Sequence, residues 1–115
     1  DVGHNEDGIK QIVKQLQLCS FQQLHIVIGM VKDKEIEKVL ALLPKDAVYY
    51  FTKAQISRAL DDVILQEKAN AFNLKGETYL NVNDALAKAK QCASADDLIL
   101  VCGSVFLVGE VARPV

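Results

Sequence analysis

The chain has 115 residues, half of them apolar, and its 13 basic and 15 acidic side chains give a formal charge of -2. This length is near the commonest domain size, and the apolar content suffices for one core, so we predict a single domain. Because both signs of charge are interspersed, neither nucleic acid nor an anionic membrane is favoured as a partner. No apolar run approaches the roughly 20 residues that span a bilayer, and we expect a cytoplasmic protein.

The three cysteines, Cys19, Cys92 and Cys102, are widely separated and form no C-x-x-C pair. Only His4 and His25 are available to complete a metal site with them, so we predict no bound metal. We expect all three to be buried, reduced thiols that act as small apolar residues.

Segments with helical and strand periodicity alternate along the chain. Apolar residues at 9, 12, 13 and 16 predict a first helix, and the β-branched run 24–28 predicts a strand. The later predicted elements are a helix over 36–43 capped by Asp33, a strand over 47–51, a helix over 60–72, a strand over 77–80, a helix over 82–93 capped by Asn83, a strand over 98–102, and a final helix opened by Gly103 and Ser104. This order predicts a Rossmann-like, three-layer α/β domain with a mainly parallel sheet and helices on both faces.

Ligands of open parallel sheets gather at the carboxyl ends of the strands, where three loops of this chain should meet. The first loop places a carboxylate, an imidazole and an amide, from Asp1, His4 and Asn5, directly before a helix that can attract anions. That mixture suits a ribose, a phosphate or an amino acid. The ordinary alternative, which is the more common one, is a frayed terminus, a surface histidine and a helix cap.

The other two loops offer charges and a hydroxyl at the same edge. Lys32, Asp33 and Lys34 could support ligand binding, whereas the ordinary alternative is a strand exit followed by a cap. Gly103 permits close backbone approach, and the Ser104 hydroxyl can bond a carboxylate or phosphate or cap the last helix.

Other polar residues receive structural interpretations. His25 lies within an apolar strand, so we predict a core or sheet-face histidine without a catalytic role. The pairs 61–62 and 96–97 are acidic, and we interpret both as solvated residues at helix boundaries.

The chain lacks both common phosphate-binding signatures. It contains neither G-x-x-x-x-G-K-[ST] nor G-x-G-x-x-G, so it has no recognisable cradle for a triphosphate or a dinucleotide. We therefore expect this segment to be catalytically inactive by itself.

Three motifs in register resemble the carboxyl-terminal domain of folylpolyglutamate synthase/dihydrofolate synthase, within the Mur ligase superfamily. Residues 1–5, Asp-Val-Gly-His-Asn, are similar to the family's Asp-x-Ala-His-Asn-Pro motif, and residues 29–36 to its Gly-Met-x-x-Asp-Lys-Asp block. Residues 100–104 are similar to its closing Gly-Ser block. The chain departs from the pattern at Gly3, Glu6 and Glu35.

The resemblance implies an ATP- and magnesium-dependent ligase that phosphorylates a pteroate or folate carboxylate, which the amine of L-glutamate then attacks. Residues 1–115 would form its carboxyl-terminal lid and would close on an amino-terminal domain. That domain would make most of the contacts with ATP, Mg²⁺ and the dihydropteroate or reduced folate. The implied roles are nucleotide binding for Asp1, catalysis for His4 and glutamate binding for Ser104. Asn5, Lys32, Asp33, Lys34 and Gly103 would support them.

Two alternatives remain open from the sequence. A Mur peptidoglycan-precursor ligase uses the same acyl phosphate chemistry, although Val2 stands where many such domains have tyrosine. A non-catalytic α/β module that binds a nucleotide or a protein is also compatible with the missing phosphate loop.

Overall fold

The computed structural model describes residues 6–32 and 35–111, which contain five helices and four strands. The elements are α1 Glu6–Leu16, β1 Leu24–Ile28, α2 Ile36–Leu42, β2 Val48–Phe51, α3 Asp62–Asn70, β3 Gly76–Thr78, α4 Val82–Cys92, β4 Leu98–Cys102 and α5 Val105–Gly109. All four strands are parallel, in the order β3-β2-β1-β4. No helix within these residues is long and apolar enough to cross a membrane.

Helices cover both faces of the sheet, because successive strand residues point to opposite sides. In β1, Ile26 packs into a cluster shared with α1, α2 and α3, whereas Val27 packs with α4 and α5. Burial of a side chain such as Ile26, which has no exposed surface, contributes about 2 kcal/mol to stability. The predicted Rossmann-like α/β architecture is confirmed.

The helix starts differ from the predictions in one described case. Asn81, and not Asn83, is the N-cap of α4, where its side chain accepts a hydrogen bond from the backbone N–H of Asp84 at 2.8 Å. Asn83 lies one residue inside the helix and donates instead to the Glu110 carbonyl at 2.9 Å. The two asparagines are too close in sequence for composition alone to choose between them.

The start of α2 has no side-chain cap hydrogen bond. Glu35 occupies its N-cap position, whereas the predicted cap, Asp33, lies outside the described residues. The apolar stripe on which the prediction of this helix depends, Ile36, Val39, Leu40 and Leu43, is buried.

The two residues of the first acidic pair, Asp61 and Asp62, have different environments. Asp61 is the N-cap of α3 and accepts from the backbone N–H of Val63, as predicted. Asp62 is only 5% exposed, so its interpretation as a solvated residue was wrong. The Lys53 ammonium lies 4.0 Å from its carboxylate and compensates its charge.

Only Cys102 confirms the prediction of buried thiols. It is fully buried at the end of β4, and burial raises its pKa to about 12. Cys19 and Cys92 are exposed; Cys19 follows α1, and Cys92 is the last residue of α4. Their spacing gave no information about this exposure.

Three polar side chains form a buried network beside the amino-terminal end of β1. His25 Nε2 lies 2.9 Å from the Asp97 carboxylate, and Nδ1 lies 2.8 Å from the Tyr50 hydroxyl. Since a carboxylate only accepts, Nε2 carries a proton and, in the neutral ring, Nδ1 accepts from Tyr50. The structural interpretation of His25 is confirmed, whereas Asp97, with a side chain 8% exposed, is not the solvated residue we predicted.

Candidate functional site at the carboxyl edge of the sheet

The strand order creates a switch point between β1 and β4. Connections from β1 lead through α2 on one face, while β4 continues into α5 on the other face. In open α/β sheets, ligands bind in the crevice outside the carboxyl ends of two such strands. Two of the predicted site loops meet here, since Gly29 N–H donates to the Cys102 carbonyl at 3.4 Å.

Gly103 allows the backbones of these two loops to touch. Its φ is +106°, a region that favours glycine, and an added Cβ would lie 2.4 Å from the Gly29 carbonyl oxygen. The residue is therefore required for the close packing of the switch point, independently of any ligand.

Ser104 occupies the next position and is 2% exposed. Its Oγ accepts a hydrogen bond from the backbone N–H of Leu107 at 3.4 Å, which is the capping alternative considered from the sequence. Its contact with glutamate stays a prediction.

Lys32 is exposed on the β1–α2 loop, which is hydrogen-bonded to the β2–α3 loop. Its backbone N–H donates to the Arg58 carbonyl at 2.8 Å, and Val31 forms an isolated antiparallel bridge with Ala59. These contacts join the β1–α2 and β2–α3 loops, so the Lys32 backbone is fixed while its side chain remains accessible.

A cleft of about 470 Å³ opens between these two loops. Lys32, Lys53, Gln55, Ser57 and Asp61 supply its polar lining, and the remaining lining is apolar. Sequence reasoning missed Lys53, although a signal existed. Lys53 lies two residues after the end of β2, and the carboxyl ends of parallel strands are where ligand-binding groups concentrate.

The Lys53 ammonium has a carboxylate partner at the rim of this cleft. Its Nζ donates to Asp61 Oδ1 at 3.3 Å. The hydrogen bond from Lys53 is the main reason that the pKa of Asp61 lies below its usual value. Both side chains remain partly exposed, at 34% and 45%, so the pair contributes little to stability and can exchange partners.

A second set of contacts ties the cleft to the last helix. Glu110 accepts from the backbone N–H of Gln55 at 2.7 Å, and its own carbonyl accepts from Asn83. The Gln55 side chain donates to the carbonyls of Leu80 and Lys53. We call this set, Gln55, Leu80, Asn83 and Glu110, the loop clamp, because it joins three loops of the carboxyl edge.

Five of the predicted site residues cannot be placed relative to the cleft. Asp1, His4, Asn5, Asp33 and Lys34 lie outside the described residues. Among the residues that are described, no group of three or more His, Cys, Asp or Glu side chains is arranged to hold a metal ion.

Curated relatives of this chain include folate ligases. It is 35% identical over 111 residues to a "Probable bifunctional folylpolyglutamate synthase/dihydropteroate synthase" of Haloferax volcanii, covering 96% of this chain and 13% of that protein. The chain therefore spans only a small part of this relative.

Solved structures agree with the sequence comparison. Escherichia coli FolC in complex with DHPP and ADP superposes with a TM-score of 0.83 at 29% identity, over 94% of this chain and 26% of that one. A bifunctional folylpolyglutamate synthase/dihydrofolate synthase with Mn, AMPPNP and L-glutamate bound superposes equally well, at 28% identity and with the same coverage. These relatives thus bind a nucleotide, and the second one also holds a divalent metal and glutamate.

The resemblance to the carboxyl-terminal domain of folylpolyglutamate synthase/dihydrofolate synthase is thereby confirmed. A sequence profile of the family described as "Mur ligase, glutamate ligase domain" matches residues 1–105, nearly the whole chain. This chain belongs to that family.

Proposed function

We propose that residues 1–115 are the carboxyl-terminal lid domain of an ATP-dependent ligase that adds L-glutamate to dihydropteroate or to a (poly)glutamyl folate. The acceptor carboxylate would be phosphorylated by ATP, and the glutamate amine would displace phosphate to form the amide. The family match over residues 1–105 is the observation that carries this proposal. The relatives that bind ADP, DHPP and glutamate favour folate acceptors over muramyl ones.

The geometry of the carboxyl edge is compatible with a lid. The switch point and the cleft lie on one edge of the sheet, where hydrogen bonds of Gln55 join the neighbouring loops. Closure of such a surface over an acyl phosphate would exclude water from a hydrolysable intermediate.

The nucleotide and metal are assigned mainly to an amino-terminal domain. The sequence has no phosphate loop, and the described residues offer no ligand cluster for Mg²⁺. Asp1 would add a nucleotide contact from the lid. The metal would neutralise phosphate charge during transfer.

Within the lid, His4 is proposed to act catalytically, and Ser104 to bind glutamate. Asn5, Lys32, Asp33, Lys34 and Gly103 would position these groups or the substrate. Ser104 Oγ accepts from the backbone N–H of Leu107, so glutamate would be a further partner of this hydroxyl.

The ligase proposal is tested by product analysis with the full-length protein that contains this chain. The protein is incubated with ATP, Mg²⁺, L-glutamate and either dihydropteroate, a reduced folate or a muramyl nucleotide, and products are identified by mass spectrometry. We expect a glutamylated pterin. A product formed only from the muramyl nucleotide would move the chain to the peptidoglycan ligases, and folded protein without any product would favour a binding module.

The serine proposal is tested separately with Ser104→Ala. We expect a rise of about tenfold in the KM for L-glutamate from loss of a hydrogen bond to a charged group. Ser20→Ala, an exposed serine outside the carboxyl edge, is the matched control. If KM and kcat of Ser104→Ala equalled those of the control, the glutamate-binding role of Ser104 would be wrong.

A further inference from the structure

The cleft between the β1–α2 and β2–α3 loops has a composition that suits a carboxylate with a short aliphatic part. Lys32 and Lys53 contribute two cations, Ser57 contributes a hydroxyl, and Asp61 is the carboxylate in the lining. The Gln55 amide donates to the carbonyls of Lys53 and Leu80. The rest of the lining is apolar, as methylene groups require.

The two lysines differ in how they are held. Lys53 is oriented by its hydrogen bond to Asp61 and by the buried Asp62 beneath it. Lys32 has a fixed backbone and an exposed side chain. A ligand carboxylate could therefore meet the adaptable Lys32 ammonium and share the Lys53 ammonium with Asp61, while Lys53 stays beside Asp62.

The position of the cleft relative to the switch point suggests which carboxylate it meets. The cleft lies over the ends of β1 and β2, whereas the switch point lies between β1 and β4. Neighbouring strands are about 4.8 Å apart, so the two places are separated by roughly 5–10 Å. One or two glutamyl residues can bridge that distance.

From this arrangement we infer that the cleft is a subsite for the α-carboxylates of glutamyl residues already attached to the acceptor, with Lys32 and Lys53 as its cations. The inference rests on the proposed function. A γ-linked tail keeps one ionised α-carboxylate per residue, and a nearby ammonium would stabilise it where domain closure excludes water. The lysines would supply it while the apolar lining packs against the methylene groups.

The test measures kcat/KM of the full-length protein for folate acceptors with one, two and three glutamates and for dihydropteroate, which has none. In Lys32→Gln and Lys53→Gln, we expect kcat/KM for glutamylated acceptors to fall about tenfold relative to the value for dihydropteroate. Lys53→Arg should restore most of the loss. Lys45→Gln, an exposed lysine before β2 at the opposite edge of the sheet, is the matched control.

The outcomes separate this inference from the ligase proposal. Wild-type protein that forms no glutamylated product would overturn the proposed function itself. An active wild type that uses only dihydropteroate, or lysine variants whose losses are equal for all acceptors, would overturn the tail subsite alone. A rise confined to the KM for free L-glutamate would instead assign the cleft to the incoming amino acid. Lys32→Gln keeps the test valid if Lys53→Gln fails to fold, because the contacts described for Lys32 come from its backbone.

Discussion

The polar groups beside the amino-terminal end of β1 and those around the cleft at the carboxyl edge have opposite environments. His25 and Asp97 have side chains only 4% and 8% exposed, and each ring nitrogen of His25 has a partner. At the cleft, Lys53 and Asp61 are one-third to nearly one-half exposed, and Lys32 faces solvent. Similar residue types therefore serve the fold in one region and remain accessible to a ligand in the other.

The difference shows how function can be distinguished from packing in this domain. Within the described residues, no buried side-chain nitrogen or oxygen lacks a hydrogen-bond partner, so the buried network has no unused group to offer a ligand. Accessible charge is found instead on loops whose backbones are held rigidly by hydrogen bonds. Such held loops place ligand-binding side chains without a large ordering cost.

The largest effect is expected for Gly103→Ala at the switch point. The added Cβ would lie 2.4 Å from the Gly29 carbonyl in a backbone region unfavourable to alanine, so we expect the free energy of unfolding to fall by about 4 kcal/mol. Urea denaturation measures this change. Gly109→Ala is the control, since nothing lies within 4 Å of its added Cβ, and its effect should not exceed about 1 kcal/mol. Equal stability of the two variants would show that the loops are not in contact.

His25→Ala should have the next largest effect. It leaves a cavity and removes the partner of the buried Tyr50 hydroxyl, so we expect a loss of about 3 kcal/mol in the free energy of unfolding. Lys90→Ala, an exposed position of α4, should stay within about 0.5 kcal/mol of wild type. If His25→Ala were as stable as this control, the network would not stabilise the fold.

A smaller effect is expected when the loop clamp is opened. Glu110→Ala removes the acceptor of the Gln55 backbone N–H, with an expected loss of about 1 kcal/mol and faster hydrogen exchange at Gln55. Hydrogen exchange followed by NMR tests this locally. Glu67→Ala, an exposed glutamate of α3, is the matched control and should leave that amide protected. If the Gln55 amide were equally protected in Glu110→Ala, the Glu110 side chain would not hold this loop.

The smallest effect concerns the pH dependence of stability. The backbone N–H of Ser94 and the His25 ring hold the pKa of Asp97 below its usual value of about 3.9. Its contribution is therefore present above about pH 4 and is lost as pH falls through the folded-state pKa. Asp97→Asn should flatten the fall in Tm below pH 4, whereas Asp96→Asn, an exposed neighbour, should retain it. If Tm changed with pH in the same way in both variants, the loss of stability in acid would not come from Asp97.

The regular elements were predictable from the apolar pattern, because the helices bury one face and β1 is buried on both. The run Leu24–Ile28 is buried throughout. Five inward residues are predicted for α4: Val82, Ala85 and Ala89 are buried, whereas Leu86 and Ala93 are only partly buried. The residue at which a helix begins was harder to predict. For α4 we predicted Asn83 as the cap, whereas the cap is Asn81. Caps depend on local backbone geometry that several neighbouring polar residues could satisfy.

Long-range polar partners could not be predicted. Asp97 lies 72 residues from His25, and Glu110 lies 55 from Gln55, so their contacts arise only when the sheet brings the loops together. Strand-end reasoning did identify Lys32, Gly103 and Ser104 as residues of the carboxyl edge. It would also have found Lys53 had it been applied to the residues that follow β2.

The most direct test of the ligase account is ADP release by the full-length protein with ATP, Mg²⁺ and L-glutamate, with and without a pterin acceptor. The account predicts release that depends on dihydropteroate or a reduced folate and that matches the amount of glutamylated product. Release that is independent of any acceptor, or no release with either pterin from folded protein, would contradict it.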